Sequence, residues 1–257
     1  MAKTMNSKID WGNPITSGLV FAMSFIEGTG TPGDYSKDRL SATLVNSPAW
    51  AFPSTGAEMV FVSASDKYIN LGNPTKLQIT GSISIATSFY TDGLAASNHE
   101  QSIVAKDKDS GGRAYTLDNA NYVGQSSSGL RFYVNGGNGL TEGRFPVIGD
   151  DRNVVVTFTS GTGAMTMRIT GSGAANKSTT SAETVTPSAT ANVLIARREY
   201  AGFTDPFDGK IRYVYIWNRA ITTTESDAIN SDPFLFFSPT QKSNSLRPRI
   251  FGPGLAR

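Results

Sequence analysis

A chain of 257 residues has room for one large β domain or two small ones. Only 17% of it is charged, and Gly, Ser and Thr are plentiful, which speaks for strands and turns over helices; the absence of Cys excludes disulfides and thiolate chemistry. A net charge of +2 provides no basic field for nucleic acid, and no run is long and apolar enough to cross a membrane as a helix.

Residues 1–16 read as an N-terminal arm. The first eight, Met1 to Lys8, hold no apolar stretch, so a chain made without an export signal is expected. Residues 18–25 form the first predicted strand. The loop Gly28-Thr29-Gly30-Thr31-Pro32-Gly33 follows and spells G-x-G-x-x-G. Pro32 sits inside it and no helical apolar stripe comes after, so it reads as a turn and not as a nucleotide site. Residues 66–72 form a short strand. In residues 82–89 the alternation is clean, with Ile83, Ile85 and Phe89 on one side and serines on the other. Residues 102–106 and 114–117 flank a Gly-rich turn, and 130–134 follow. Residues 153–159 and 164–169 flank Ser160-Gly161-Thr162-Gly163 and read as a hairpin. Residues 193–196 and 211–217 complete the strands. The one helix expected is 223–229, opened by a capping box in which Thr222 and Glu225 satisfy each other's backbone N–H. Many alternating strands at short spacing predict an all-β two-sheet sandwich or barrel. No composition break divides residues 17–232, which read as one domain before a tail, 233–257.

The run Phe207-Asp208-Gly209-Lys210-Ile211-Arg212-Tyr213-Val214-Tyr215-Ile216-Trp217-Asn218-Arg219-Ala220-Ile221, with Thr222 and Glu225 after it, resembles the last strand and terminal helix of laminin G-like domains of the concanavalin A-like lectin/glucanase superfamily. Leu19-Val20-Phe21, Asp34-Tyr35-Ser36, Gly81 to Ile85 and Asn153 to Phe158 resemble earlier strands and turns of the same family. The resemblance implies an antiparallel jelly-roll sandwich. Related domains often hold calcium at the sandwich rim, which implies a possible structural calcium at Asp34 and Asp208; an Asx-turn and a tight turn are the plainer readings of those two residues.

Catalysis finds little support. The glucanase branch of the superfamily places Glu-x-Asp-x-Glu on one strand face, and that motif is absent. Asp107-Lys108-Asp109 is the nearest pattern and reads as a turn beside Ser110-Gly111-Gly112. His99 is the single histidine and stands without an H-E-x-x-H or G-x-S-x-G partner motif, so it reads as an exposed loop residue. A non-enzymatic module is expected. Its rim loop Arg197-Arg198-Glu199-Tyr200-Ala201-Gly202-Phe203 suits a carbohydrate, with Arg197, Arg198, Tyr200 and Phe203 as the candidates to bond and stack on it. Tyr213 and Tyr215 make both faces of the last strand apolar, so either the chain covers them or they form a partner interface.

The tail opens Asp232-Pro233-Phe234-Leu235-Phe236-Phe237-Ser238-Pro239 and resembles the ends of laminin G-like proteins of tailed phages. Its four aromatic and aliphatic residues are expected to pack back on the sandwich. Farther on, Arg247-Pro248-Arg249-Ile250-Phe251 is basic, apolar and stiffened by proline, and Arg247, Arg249, Ile250 and Phe251 are expected to meet another chain. The leading expectation is therefore a virion accessory protein of the capsid surface or tail, homo-oligomeric or docked on a capsid or tail protein. A carbohydrate-binding lectin or adhesin is the alternative, and a glucanase- or lyase-type enzyme is the third.

Overall fold

The computed structural model describes residues 5–54, 56–93, 99–108, 113–121, 129–137, 139–142, 148–171, 175–185, 190–200 and 203–239. In chain order the strands are β1 (Met5–Ile9), β2 (Leu19–Met23), β3 (Thr43–Val45), β4 (Ala49–Ala51), β5 (Glu58–Phe61), β6 (Tyr68–Asn70) and β7 (Ile83–Thr91). Then come β8 (His99–Lys106), β9 (Tyr115–Asn121), β10 (Gly129–Val134), β11 (Leu140–Thr141), β12 (Asp151–Thr159), β13 (Ala164–Thr170) and β14 (Lys177–Thr180). The last are β15 (Leu194–Ile195), β16 (Glu199–Tyr200), β17 (Phe203–Thr204), β18 (Gly209–Trp217), the helix α1 (Thr223–Ser231) and β19 (Phe237–Pro239).

Two antiparallel sheets face each other, as the alternation predicts. One has seven strands in the order β11-β10-β9-β8-β15-β6-β3. The other has eight, in the order β14-β13-β12-β7-β18-β5-β4, with β2 also paired to β18. Strand β18 holds β5 at its start, where Ile211 faces Met59, and β2 at its end, where Tyr215 faces Ala22. The expected core lies between the sheets: Ile83, Ile85, Phe89, Val154, Val156, Phe158, Val214 and Ile216 are all buried there. Val156 stands opposite Ile85 on β7 and Met167 on β13, so the register follows from which face each strand must bury.

The second sheet is also covered on its outer face. There Ala22, Ala86, Val155, Tyr213, Tyr215 and Trp217 pack against Ile9, Ile15, Ile221, Ile229, Phe236 and Phe237. Tyr213 and Tyr215 stack on each other at 4.7 Å, and Phe234, Phe236 and Phe237 close over them. The expectation of a partner interface at Tyr213 and Tyr215 is thereby corrected. Four apolar residues in a row after α1 cannot stay in water cheaply, and the nearest apolar surface is this sheet face. The Trp217 indole N–H donates to the Ile15 carbonyl at 2.8 Å, and β1 pairs with β19. The packed body thus extends beyond residues 17–232 at both ends.

The motif around α1 has a physical reading. Thr222 and Glu225 form the capping box, with bonds of 3.2 and 2.7 Å. Arg219 reaches Glu225 through both terminal nitrogens and donates from Nε to the Ser17 carbonyl at 2.6 Å. One arginine therefore pins the helix start to the entry of β2. The glycine-rich loop 28–33 is a turn, as expected, with Gly28 and Gly30 in the left-handed region.

Candidate functional site: a charged cavity on the seven-stranded sheet

Alternation in β9 and β10 sorts residues to two faces. Leu130, Phe132 and Val134 enter the core with Tyr115 and Leu117. Arg131 and Tyr133, with Thr116 and Asp118, therefore stand on the face turned away from it. Glu100 on β8 joins them, and Asp107 follows at the end of that strand. Arg198, Tyr200 and Asp205 are brought by the β16–β17 hairpin, whose two strands pair through Tyr200 and Phe203. Together they build a cavity of about 500 Å³ lined by Glu100, Arg113, Arg131, Tyr133, Thr141, Arg198, Tyr200 and the glycines 136, 137 and 139. Glycine is required in that wall. Gly136 has φ +67°, and a Cβ there would stand 2.3 Å from the Arg113 Cδ; one on Gly139 would stand 2.6 Å from the Phe132 carbonyl oxygen.

An ion network lies beneath the lining. Arg131 faces Asp118 across the β9–β10 ladder and donates to both its carboxylate oxygens at 2.9 Å, and it also pairs with Glu100. Arg198 donates to Asp205 from Nε at 2.9 Å and from Nη2 at 2.6 Å, and it pairs with Glu100 and bonds the Tyr133 hydroxyl. Asp107 lies 3.4 Å from Arg113 and 3.8 Å from Arg198. Burial pushes the Asp107 carboxyl up to about 6, against the pull of Arg113 and Arg198, with Asp118 and Glu100 adding to the rise. Burial likewise raises Asp118, opposed by Arg131, and Asp205, opposed by Arg198. The guanidiniums also meet the aromatic rings. Arg113 lies 3.6 Å from the Tyr200 ring centre, Arg198 5.1 Å from it, and Arg131 5.7 Å from the Tyr133 ring. Burying so many charges contributes little net stability, because desolvation offsets attraction. What the network does provide is a set of planar donors held in fixed positions at an open cavity.

Of the rim-loop candidates, Arg198 and Tyr200 belong to this cavity. Arg197 turns away, donating to Asp66 at 2.6 Å and lying 4.5 Å over the Tyr68 ring. The Phe203 side chain lies outside the described residues, as do Asp109, Arg247, Arg249, Ile250 and Phe251. Asp107, read from the sequence as part of a turn, is buried in the network, because Arg113 and Arg198 converge there. His99 is exposed, as expected, though it opens β8.

The calcium expectation does not fit Asp34. Its Oδ1 accepts from the N–H groups of Ala22 and Ser36, both at 2.9 Å, and its Oδ2 from the Ser36 hydroxyl and the Leu40 N–H at 2.6 and 2.8 Å. A cation would have to displace donors from a carboxylate already filled. Asp208 stands at the opposite end of β18 from Tyr215, the partner of Ala22, with its side chain near Ser63 N–H at 3.4 Å. Among the described residues no group of three His, Cys, Asp or Glu is placed to hold a metal.

Sequence reading missed Glu100, Arg113, Arg131, Tyr133 and Asp118. The alternation of Leu130-Arg131-Phe132-Tyr133-Val134 was the available signal, since it puts Arg131 and Tyr133 side by side on one face.

A family model for the concanavalin A-like lectin/glucanases superfamily, of laminin G type, matches residues 63–225. No curated protein sequence matches the chain. Among solved structures, domain 4 of AbnA, a GH43 extracellular arabinanase from Geobacillus stearothermophilus, in complex with arabinotriose, is similar at TM-score 0.61 and 16% identity. That match covers 82% of this chain and 98% of the arabinanase domain. The binding domain of botulinum neurotoxin serotype D is similar at TM-score 0.64 and 12% identity, over 87% of this chain and 54% of the other. A structure of botulinum neurotoxin type C, described as dependent for cell entry upon interaction with two ganglioside molecules, matches at TM-score 0.61 and 11% identity, over 85% and 52%. The chain thus spans almost all of the arabinanase domain and about half of each toxin structure.

Proposed function

The chain belongs to the concanavalin A-like lectin/glucanases superfamily, and from that premise we propose that it is a non-enzymatic module that binds a carbohydrate in the cavity over β8, β9 and β10. The observation that carries the reading is the cavity itself. It is about 500 Å³, open, walled by glycine backbone and lined by arginines held in place from below. Sugars are recognised by such fixed donors and acceptors at a preformed concave site. The solved structures with arabinotriose and the toxin dependent on gangliosides lend the reading support from the same fold. Hydrolysis of a glycosidic bond takes two carboxyl groups flanking it. Among the described lining residues Glu100 is the sole carboxylate, and Asp107, Asp118 and Asp205 sit beneath the arginines. That arrangement favours holding over cleaving. In this reading residues 240–257 attach the module to a larger assembly, with a virion as the setting expected from the sequence.

The test is a glycan array probed with the wild-type chain and with Thr141→Trp. Thr141 lines the cavity, half-buried on the edge strand β11, so an indole there fills the opening without entering the core. Retention of at least one glycan by the wild type, and a loss of roughly tenfold or more in the variant at unchanged melting temperature, is expected. A wild type that retains no glycan, or a variant that binds like the wild type, overturns the reading.

A further inference from the structure

We propose that the sugar this cavity takes is a carboxylated one, a uronic or sialic type of residue, seated by Arg113 and Arg131; the inference rests on the carbohydrate reading above. Two independent features lead there. The first is the order of charges with depth. The side chains of Arg113 and Arg131 are 26% and 14% exposed, whereas those of Asp107 and Asp118, which they pair with, are 1% and 0% exposed. Among the described lining residues a ligand entering from solvent therefore meets three guanidiniums, those of Arg113, Arg131 and Arg198, and one carboxylate, that of Glu100. A ligand carboxylate there would share guanidiniums that Asp107, Asp118 and Glu100 already engage, and charge-assisted pairs with a guanidinium are about twice as strong as neutral hydrogen bonds.

The second feature is the state of the aromatic rings. A neutral sugar is commonly held by laying its C–H face on an aromatic ring. Both rings among the described lining residues are attended by guanidiniums, Tyr200 by Arg113 at 3.6 Å and Tyr133 by Arg131 at 5.7 Å. The Tyr133 hydroxyl is in addition bonded to Arg198. The rings thus serve to orient the arginines. Gly136 serves the same end, since any larger residue there would collide with the Arg113 stem.

The network also makes the binding proton-linked. Asp107 is faced by Arg113 from the β8–β9 connection, Arg198 from the segment before β16, Glu100 on β8, Thr116 and Asp118 on β9, and Tyr133 on β10. Its carboxyl titrates near 6 for the reasons given. An anion drawn to Arg113 adds a like charge near Asp107 and raises that value further. Binding then takes up a proton, so affinity for an acidic sugar increases as pH falls from about 7.5 toward 6, while affinity for a neutral sugar does not follow that course.

Isothermal titration of the wild-type chain with two matched pairs tests this: 3′-sialyllactose against lactose, and tetragalacturonate against its methyl ester. The acidic member of at least one pair is expected to bind roughly tenfold more tightly or better, with Arg113→Gln removing most of that preference. Equal affinities within each pair overturn the charge inference and leave the carbohydrate reading standing. Equal competition by acetate marks a mere anion site and overturns it too. Binding of neither pair, alongside array retention of some neutral glycan, has the same meaning, whereas no glycan retained at all removes both.

Discussion

The hydroxyls of Tyr213 and Tyr215 are buried, and neither has a hydrogen-bond partner among the described residues. Burial pushes the Tyr213 ionisation well above the ordinary range, and Tyr215 likewise, with Tyr213 and Asp232 adding to it. Both remain neutral phenols under ordinary conditions. A buried donor without an acceptor costs about 1–3 kcal/mol, and the ring's packing does not depend on its oxygen. Tyr215→Phe keeps the contacts to Trp217, Phe236 and Phe237 and removes that cost. It is expected to stabilise the protein by about 1 kcal/mol in chemical denaturation. A loss of stability of similar size would mean that the hydroxyl is bonded after all. Trp217 is the contrast, since its N–H has the Ile15 carbonyl and no such gain is available there.

At the scale of elements, α1 depends on its first turn. Its apolar anchor is essentially Ile229, and it has no basic residue in its last turn. Thr222→Ala removes one half of the capping box and frees Glu225 from one of its restraints, so a loss of about 1 kcal/mol is expected by thermal or denaturant unfolding. A change below a few tenths would show that Arg219 alone holds the helix start. These elements were legible in the sequence because they are long or strongly patterned: β7, β12 and β18 run for nine residues each and are rich in β-branched and aromatic residues, and the capping box is a four-residue signature. Strands β3, β4, β11, β15, β16 and β17 have two or three residues each, too few to display a period, and of these only β15 was anticipated. The site was half legible for a related reason. Arg198 and Tyr200 stood out as arginine and aromatic in a loop. Arg131 and Asp118 sit at alternate positions of strands, where charged residues ordinarily mean a solvated face. Only the register that sets Arg131 opposite Asp118 turns them into a network.

At the scale of the whole molecule the chain is three layers, not two. The seven-stranded sheet carries the cavity, the eight-stranded sheet shares its core with it, and the two ends of the chain form a third layer over the outer face. Of residues 1–16 and 233–257, expected as arms, the described parts, 5–16 and 233–239, belong to the packed body. Residues through 239 bury Tyr213, Tyr215 and Trp217, pair as β1 with β19, and donate from Asp10 N–H to the Phe236 carbonyl at 2.8 Å. Residues 240–257 lie outside the described residues. Two truncations separate packing from docking. Removing 240–257 is expected to leave the far-UV spectrum and melting temperature unchanged. It is also expected to abolish incorporation into the parent particle or oligomer if the tail is a docking segment, because a basic, apolar stretch stiffened by two prolines loses little entropy on binding. Removing 233–257 uncovers three large aromatic side chains and leaves β1 without its partner. At about 1.5–3 kcal/mol for each large apolar side chain returned to water, it is expected to destabilise the fold by several kcal/mol and to favour aggregation. Equal melting temperatures for the two truncated chains would show that the third layer adds nothing to stability. A shorter truncation that still assembles would place the docking surface elsewhere on the molecule.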